Sequence, residues 1–192
     1  MSTIKFIKNF LRDPDVASIT PTSKRCVRKV CSHIDFDRDL IIVEYGPGDG
    51  VFSRYFLERM TEGSKLIMVE NNKDFAAHLN ESLTDPRARV IHGRAGDIVD
   101  HLEPEEVGQV DYVVSGIPFS FLKKDRKIKV LEATQTILKA DGRFLAYQTS
   151  GHLKKPVMEV FGNYSTEFEL LCLPPYFIYE VVNRKEPASA AS

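Results

Sequence analysis

Two rhythms divide the chain. Over the first 34 residues apolar positions recur every three or four places: Ile4, Ile7, Phe10 and Leu11, then Val27, Val30, Cys31 and Ile34. That spacing predicts two helices, each with one apolar face. Lys5, Lys8 and Arg12 interrupt the first stripe, and Asp13-Pro14-Asp15 ends it; Thr20-Pro21-Thr22-Ser23 precedes the second. From Asp39 onward short apolar runs alternate with helical stripes. Residues 40–44, 65–70, 89–92, 110–115 and 143–148 read as strands, the first continuously apolar like a strand buried on both faces. Between them, helical stripes are marked by Phe52, Tyr55, Phe56 and Met60, by Phe75, Leu79 and Leu83, and by Ile98, Val99 and Leu102. Ile128, Leu131 and Leu138 mark a further helix that ends at Asp141-Gly142, and Leu153, Val157, Val160 and Phe161 mark the last. Residues 167–173 and 176–183 are two more strands separated by little beyond Pro174-Pro175, too few residues for a parallel crossover, so they pair antiparallel. The expected fold is α/β: a doubly wound, mostly parallel, Rossmann-like sheet of seven strands closed by an antiparallel hairpin. Its organisation is two N-terminal amphipathic and basic helices over 1–38, a ligand-binding domain over 39–184 and a tail over 185–192.

Composition changes this picture little. Hydrophobic residues make up 43% of the 192 positions, enough for one core, and 26 basic against 27 acidic side chains leave a net charge of -1. A chain coated for general nucleic-acid binding is therefore excluded, though a local basic patch is not. No run approaches the ~18 apolar residues of a membrane span, and the charged start does not fit a signal peptide, so a cytoplasmic location is expected. The cysteines, Cys26, Cys31 and Cys172, form no C-x-x-C pair, which predicts three buried thiols and neither a disulfide framework nor a metal site.

The chemistry concentrates at strand ends. Glu44-Tyr45-Gly46-Pro47-Gly48-Asp49-Gly50 joins the first strand to a helix. Its glycines suit a tight turn that a ligand approaches closely. The dinucleotide fingerprint fails because its third glycine falls on Val51, and no Walker lysine is present. Glu70 ends the second strand, where a carboxylate can accept both hydroxyls of a ribose. Gly96-Asp97-Ile98 follows the third strand, and Ser115-Gly116-Ile117-Pro118-Phe119 the fourth. Together and in this order, these motifs resemble the class I S-adenosylmethionine-dependent methyltransferases over about residues 39–183. The resemblance implies S-adenosyl-L-methionine as cofactor. It puts Glu44, Gly46, Gly48 and Gly50 near the amino acid moiety, Glu70 with Asn71 at the ribose, Gly96, Asp97 and Ile98 at the adenine, and Ser115 beside the cofactor.

The segment after the fourth strand faces the methyl acceptor in that family. Base-directed amino-methyltransferases carry an Asn-Pro-Pro-Tyr-like motif, whose Asn accepts from the exocyclic amine while the aromatic ring stacks on the flipped base. Here the segment offers Ser115, Gly116, Ile117 and Phe119; Phe119 can still stack, but the amide is missing. The helical domain that follows the sheet in ribosomal RNA adenine dimethyltransferases is not expected here, where a short tail is read after the hairpin. Both departures weigh against nucleic acid. The chain more closely resembles bacterial phospholipid and ornithine-lipid N-methyltransferases, from K-F-I-K-N-F-L-R-D-P at the start through T-P-T-S, E-Y-G-P-G-D-G and S-G-I-P-F to L-P-P before the last strand. Tyr45 and Asp49 depart from that pattern. The resemblance implies a lipid amine as acceptor and peripheral association with the inner face of the membrane; an RNA adenine or a soluble small molecule stays as the alternative.

Charge placement agrees with an anionic membrane surface as partner. Residues 1–34 carry a net +5, and the stretch 119–129 mixes Phe119 and Phe121 with five cations. His152, Lys154 and Lys155 follow the fifth strand. The carbonyls of Gly116 and Ile117 are candidates to orient the amine, and Tyr147 and His152 are candidate bases.

Overall fold

In the computed structural model, which describes residues 24–172 and 174–184, the apolar runs form a single seven-stranded sheet. The strands are β1 (Ile41–Tyr45), β2 (Lys65–Glu70), β3 (Ala88–His92), β4 (Val110–Ser115), β5 (Leu138–Gln148), β6 (Ser165–Glu169) and β7 (Tyr176–Val182). Their order is β3-β2-β1-β4-β5-β7-β6. β1 to β5 pair in parallel, while β7 is antiparallel to both β5 and β6. β7 therefore runs alone against the other six strands. Among the described residues five α-helices cover the faces: α1 (Lys24–Cys31), α2 (Val51–Leu57), α3 (Lys73–Ser82), α4 (Lys124–Ile137) and α5 (Lys154–Phe161), with a 3-10 turn over Ala95–His101.

Strand alternation assigns each side chain to a layer. Val43 and Tyr45 of β1 join Val113, Phe144 and Val181 under α4 and α5, packed with Leu131, Ile137 and Val157. Ile42 joins Leu66, Met68, Val114 and Leu145 on the opposite face, under Val27 and Val30 of α1 and Phe52 and Phe56 of α2. Burial of this kind contributes about 1.5–3 kcal/mol per large apolar side chain. Tyr45 reaches through its layer to meet Thr134 Oγ1 of α4 at 3.2 Å. Its aromatic bulk is thus housed beneath the sheet and not at the ligand edge.

Two readings need correction. The helix before β5 ends at Ile137, not at Asp141-Gly142. Leu138 is buried and pairs with Val110, and Asp141 takes a left-handed turn at φ 59° before the strand resumes. The second concerns the cysteines. Cys26 of α1 is joined to Cys172 of the β6–β7 loop in a disulfide that spans 146 residues, leaving Cys31 as a buried thiol. The pairing was invisible in the sequence because it depends on where β7 turns back. β7 starts level with the carboxyl end of β5, with Phe177 opposite Gln148, so the loop before it lies at the same edge as the start of α1. Lys29 of α1 then meets Glu167 at 2.5 Å, and His33, just beyond the helix, meets Glu180 at 3.2 Å. The predicted first helix and the predicted tail over 185–192 lie outside the described residues.

Thiol titration checks the crosslink. Unfolded without reductant, the chain should show one reactive thiol, and after reduction three. Reduction should also lower stability by about 2–4 kcal/mol in urea titrations. Three reactive thiols in the unreduced, unfolded protein would contradict the pairing.

Candidate active site

The parallel strands end at one edge, and the crevice between β1 and β4 opens there because their crossovers leave in opposite directions. The turn after β1 forms its floor. Gly46, Gly48 and Gly50 have φ of 66°, 57° and 79°, a region that side chains with a Cβ disfavour. Gly50 has a second constraint: a Cβ there would stand 2.8 Å from Leu79 Cδ2 of α3. Gly46 N–H donates to Val69 O of β2, and Gly116 N–H donates to Tyr45 O. The turn is thereby tied to both neighbouring strands.

Glu70 is the central anchor. It is buried, and its carboxylate accepts from Gly48 N–H at 3.1 Å and from Asn72 N–H at 2.8 Å. Burial raises its pKa, and the backbone donors offset only part of that rise. Asn72 caps α3 with its side chain, accepting from the amides of Asp74 and Phe75. Glu70 and Asn71 line a cavity of about 710 Å³ together with Gly46, Gly48, Gly96, Asp97 and Gly116. At its far wall Asp97 pairs with Lys129 of α4 at 2.5 Å, a bond that lowers the Asp97 pKa. Ile98 is fully buried beneath that wall, and Ser115 beneath the floor.

Glu44 sits apart from this cavity. Alternation turns it, with Ile42, toward α2, where Ser53 Oγ donates to its carboxylate at 2.6 Å. Burial, and secondarily the charges of Glu70 and Asp49, push its pKa up to about 8. It braces the first turn of α2 from behind the glycine turn.

A smaller pocket of about 50 Å³ adjoins the large one, sharing Gly46, Gly48, Gly116 and Pro118 with it. Its other walls include Asp49, Phe52, Tyr147, Gln148 and Tyr176. Tyr147 stacks on Phe52 at 4.8 Å and meets Tyr176 edge-on at 5.7 Å. Its hydroxyl lies so close to Gly116 that a Cβ there would clash at 2.4 Å. Burial, and secondarily Glu44, raise the Tyr147 pKa well above the ordinary phenol value, so the ring carries its proton near neutral pH and is not a phenolate base. His152 is exposed and lines neither pocket.

The segment after β4 corrects a further expectation. Phe119 is 0% exposed and packs edge-on to Phe144 in the core, so it offers no face for stacking. The exposed aromatic is Phe121, at 58%, on the wall of the large cavity beside Arg126. Gln148, which the sequence reading passed over, holds this segment in place. Its Oε1 accepts from Phe119 N–H at 3.0 Å, and its Nε2 donates to Ile117 O at 2.8 Å. The Ile117 carbonyl is thus engaged by Gln148, while Gly116 faces both pockets. The sequence did carry a signal: Gln148 is a polar residue closing an apolar strand at the ligand edge. Among the described residues no cluster of three or more His, Cys, Asp or Glu is arranged to hold a metal ion.

The buried Glu44 carboxyl makes a pH prediction. Its folded pKa of about 8 lies above the ordinary 4.5, so between these values the folded state holds a proton that the unfolded state has lost. Stability from this group falls as pH rises through that window, by at most about 1.4 kcal/mol per pH unit. Glu44→Gln should flatten the pH dependence of urea unfolding between pH 5 and 8. Parallel slopes for the two proteins would contradict the assignment.

Residues 3–130 match the model of the ribosomal RNA adenine dimethylase family. The ornithine lipid N-methyltransferase of Singulisphaera acidiphila is 27% identical over 139 residues, covering 71% of this chain and 72% of that protein. Among solved structures, the 1,6-didemethyltoxoflavin-N1-methyltransferase of Burkholderia thailandensis, bound to S-adenosylhomocysteine, aligns with a TM-score of 0.67 at 15% identity, covering 95% of this chain and 87% of that one. The precorrin-6Y C5,15-methyltransferase of Geobacter metallireducens aligns with a TM-score of 0.66 at 13% identity, covering 91% and 94%. These two likenesses show the fold, a Rossmann-like α/β methyltransferase sheet with its closing antiparallel strand. With the family match extending over most of the chain, the protein belongs to the ribosomal RNA adenine dimethylase family and is an S-adenosylmethionine-dependent methyltransferase.

Proposed function

We propose that this methyltransferase acts on the amine headgroup of a membrane lipid, of the phosphatidylethanolamine or ornithine-lipid kind. The observation that carries this reading is the small pocket walled by Phe52, Tyr147 and Tyr176 with Asp49 at its rim, opening onto the cofactor cavity. Aromatic faces and a carboxylate attract an ammonium group. Two further observations support it. Phe119 is buried where a base-directed enzyme needs a stacking ring, and the segment has no Asn to accept from adenine. The lipid-modifying relative matches over much of the chain.

The residues present fit the cofactor. The glycine turn allows close backbone approach for the amino acid moiety, and Glu70 retains lone pairs for the ribose hydroxyls beside its two amide bonds. Asp97 reaches the adenine amine by exchanging its bond to Lys129. Glu44 and Ile98 act from behind, as supports. When bound, S-adenosylmethionine supplies a methyl group activated on a sulfonium. The chain's part is to position and desolvate the acceptor, effects that contribute several kcal/mol. Asp49 draws the ammonium to the rim. The headgroup ammonium first gives its proton to water at the open rim, and the nitrogen then reacts as the free amine, with the Gly116 carbonyl accepting one of its two remaining hydrogens and aiming its lone pair. Tyr147, neutral and fixed between Phe52 and Tyr176, excludes water. No span-length apolar helix occurs among the described residues; the proposed association is peripheral, at the inner face of the membrane.

Glu70→Ala should weaken S-adenosylmethionine by about 1.5–3 kcal/mol in calorimetry, the range for losing hydrogen bonds to a charged group. An unchanged dissociation constant in a folded variant would contradict the ribose role. For the acceptor, expression in a host lacking methylated lipids should generate them, as read by lipid mass spectrometry. Unchanged lipids with newly methylated ribosomal RNA would establish the RNA adenine reading instead.

A further inference from the structure

Large exposed apolar side chains are rarely gathered on a protein surface without a partner. Among the described residues they are Phe121, Met158, Phe168, Leu170 and Leu171, and four of the five belong to segments at the carboxyl edge of the sheet. Leu170 and Leu171 are the most exposed, at 69% and 65%, and stand side by side in the β6–β7 loop. Three observations describe that loop. Its inner side is fixed, because Cys172 is bonded to Cys26 and Tyr176 walls the small pocket. Its outer side carries the two leucines. Its backbone is tied at Leu171, whose N–H donates to Glu169 Oε1 at 3.0 Å. The apolar surface continues into Phe168, whose ring packs on Phe177 at 4.7 Å with the Lys154 ammonium above it.

The charge around this surface has one sign in excess. The disulfide brings the first turns of α1 to the loop, with Lys24, Arg25 and Arg28 exposed. Lys154 and Lys155 open α5 on the neighbouring side. Two carboxylates of β6 are engaged: Glu167 pairs with Lys29 and His33, and Glu169 accepts from Leu171 N–H. Two protruding leucines ringed by exposed cations fit the boundary of an anionic bilayer, where acyl chains take the apolar tip and headgroups take the cations.

We propose that the β6–β7 loop is the bilayer-insertion element of this enzyme, with Leu170 and Leu171 entering the acyl boundary and seating the small pocket over a lipid headgroup. This rests on the lipid reading of the acceptor. It adds the surface that meets the membrane and the orientation in which it does so: the carboxyl edge faces the bilayer.

The test uses the full chain and vesicles of phosphatidylglycerol and phosphatidylethanolamine. Leu170→Ser combined with Leu171→Ser should lower the vesicle partition coefficient by about tenfold or more, since binding scales with buried apolar area. The lipid-free melting temperature should not move, because both side chains are exposed. The chain has no tryptophan, so Leu171→Trp gives an unambiguous second measurement: its emission should shift to the blue on vesicles and be quenched by brominated acyl chains. Wild-type partitioning in the double variant, or an unshifted and unquenched tryptophan, overturns the proposal. Unchanged partitioning with a lowered melting temperature also overturns it. Methyl transfer to phosphatidylethanolamine and to ornithine lipid, both presented in detergent micelles that need no bilayer docking, separates the two readings. Absence of transfer to both lipids in the wild-type protein overturns the lipid acceptor, whereas its retention in a double variant that fails to bind vesicles supports the insertion element.

Discussion

A carboxylate held out of water at the end of β2 organises the ligand edge of this protein. Glu70 accepts from the amides of Gly48 and Asn72, and so links the turn after β1 to the start of α3. Without those donors a buried charge would cost several kcal/mol. With them it fixes the floor of the cavity before any ligand arrives. The left-handed backbone at Gly46, Gly48 and Gly50 serves the same end, because it lets the turn present its amides at a level where Glu70 can reach one of them.

The rest follows from which face each strand end presents. Residues at the ends of β1 and β5 alternate, so neighbours in sequence do different work. Glu44 faces α2 and braces it through Ser53, while Tyr45 faces α4. Tyr147 faces Phe52 and closes the small pocket, while Gln148 faces the other way and grips the segment after β4 at both Ile117 and Phe119. One strand end thus supplies both the wall of the pocket and the clamp for the segment proposed to orient the acceptor.

Most of the fold was legible because it rests on local signals. The switch from helical to alternating rhythm at Asp39, the continuous apolar runs and the glycine-rich turn give the parallel strands and their carboxyl edge, and the short 174–175 linker gives the antiparallel closure. The sequence pattern carries the helix before β5 about four residues too far because Leu138 fits a helical stripe as well as a strand, and only pairing with Val110 separates the two. Residues at the site divide in the same way. Glu70 and Asp97 line the large cavity, where position in the strand order put them. Phe119 and Phe121 are two residues apart in a loop without a fixed period, so the sequence could not say which ring enters the core. The Cys26–Cys172 bond and the Gln148 clamp join positions far apart in the chain, and each depends on packing that no local pattern encodes.

The acceptor amine is the central claim, and transfer of a labelled methyl group tests it most directly. The purified protein would be incubated with methyl-labelled S-adenosylmethionine and, in parallel, with total lipid, total RNA and a soluble metabolite extract. The account predicts label in the lipid fraction, on the headgroup nitrogen. Label in the RNA or in the soluble extract, with none in lipid, would contradict it.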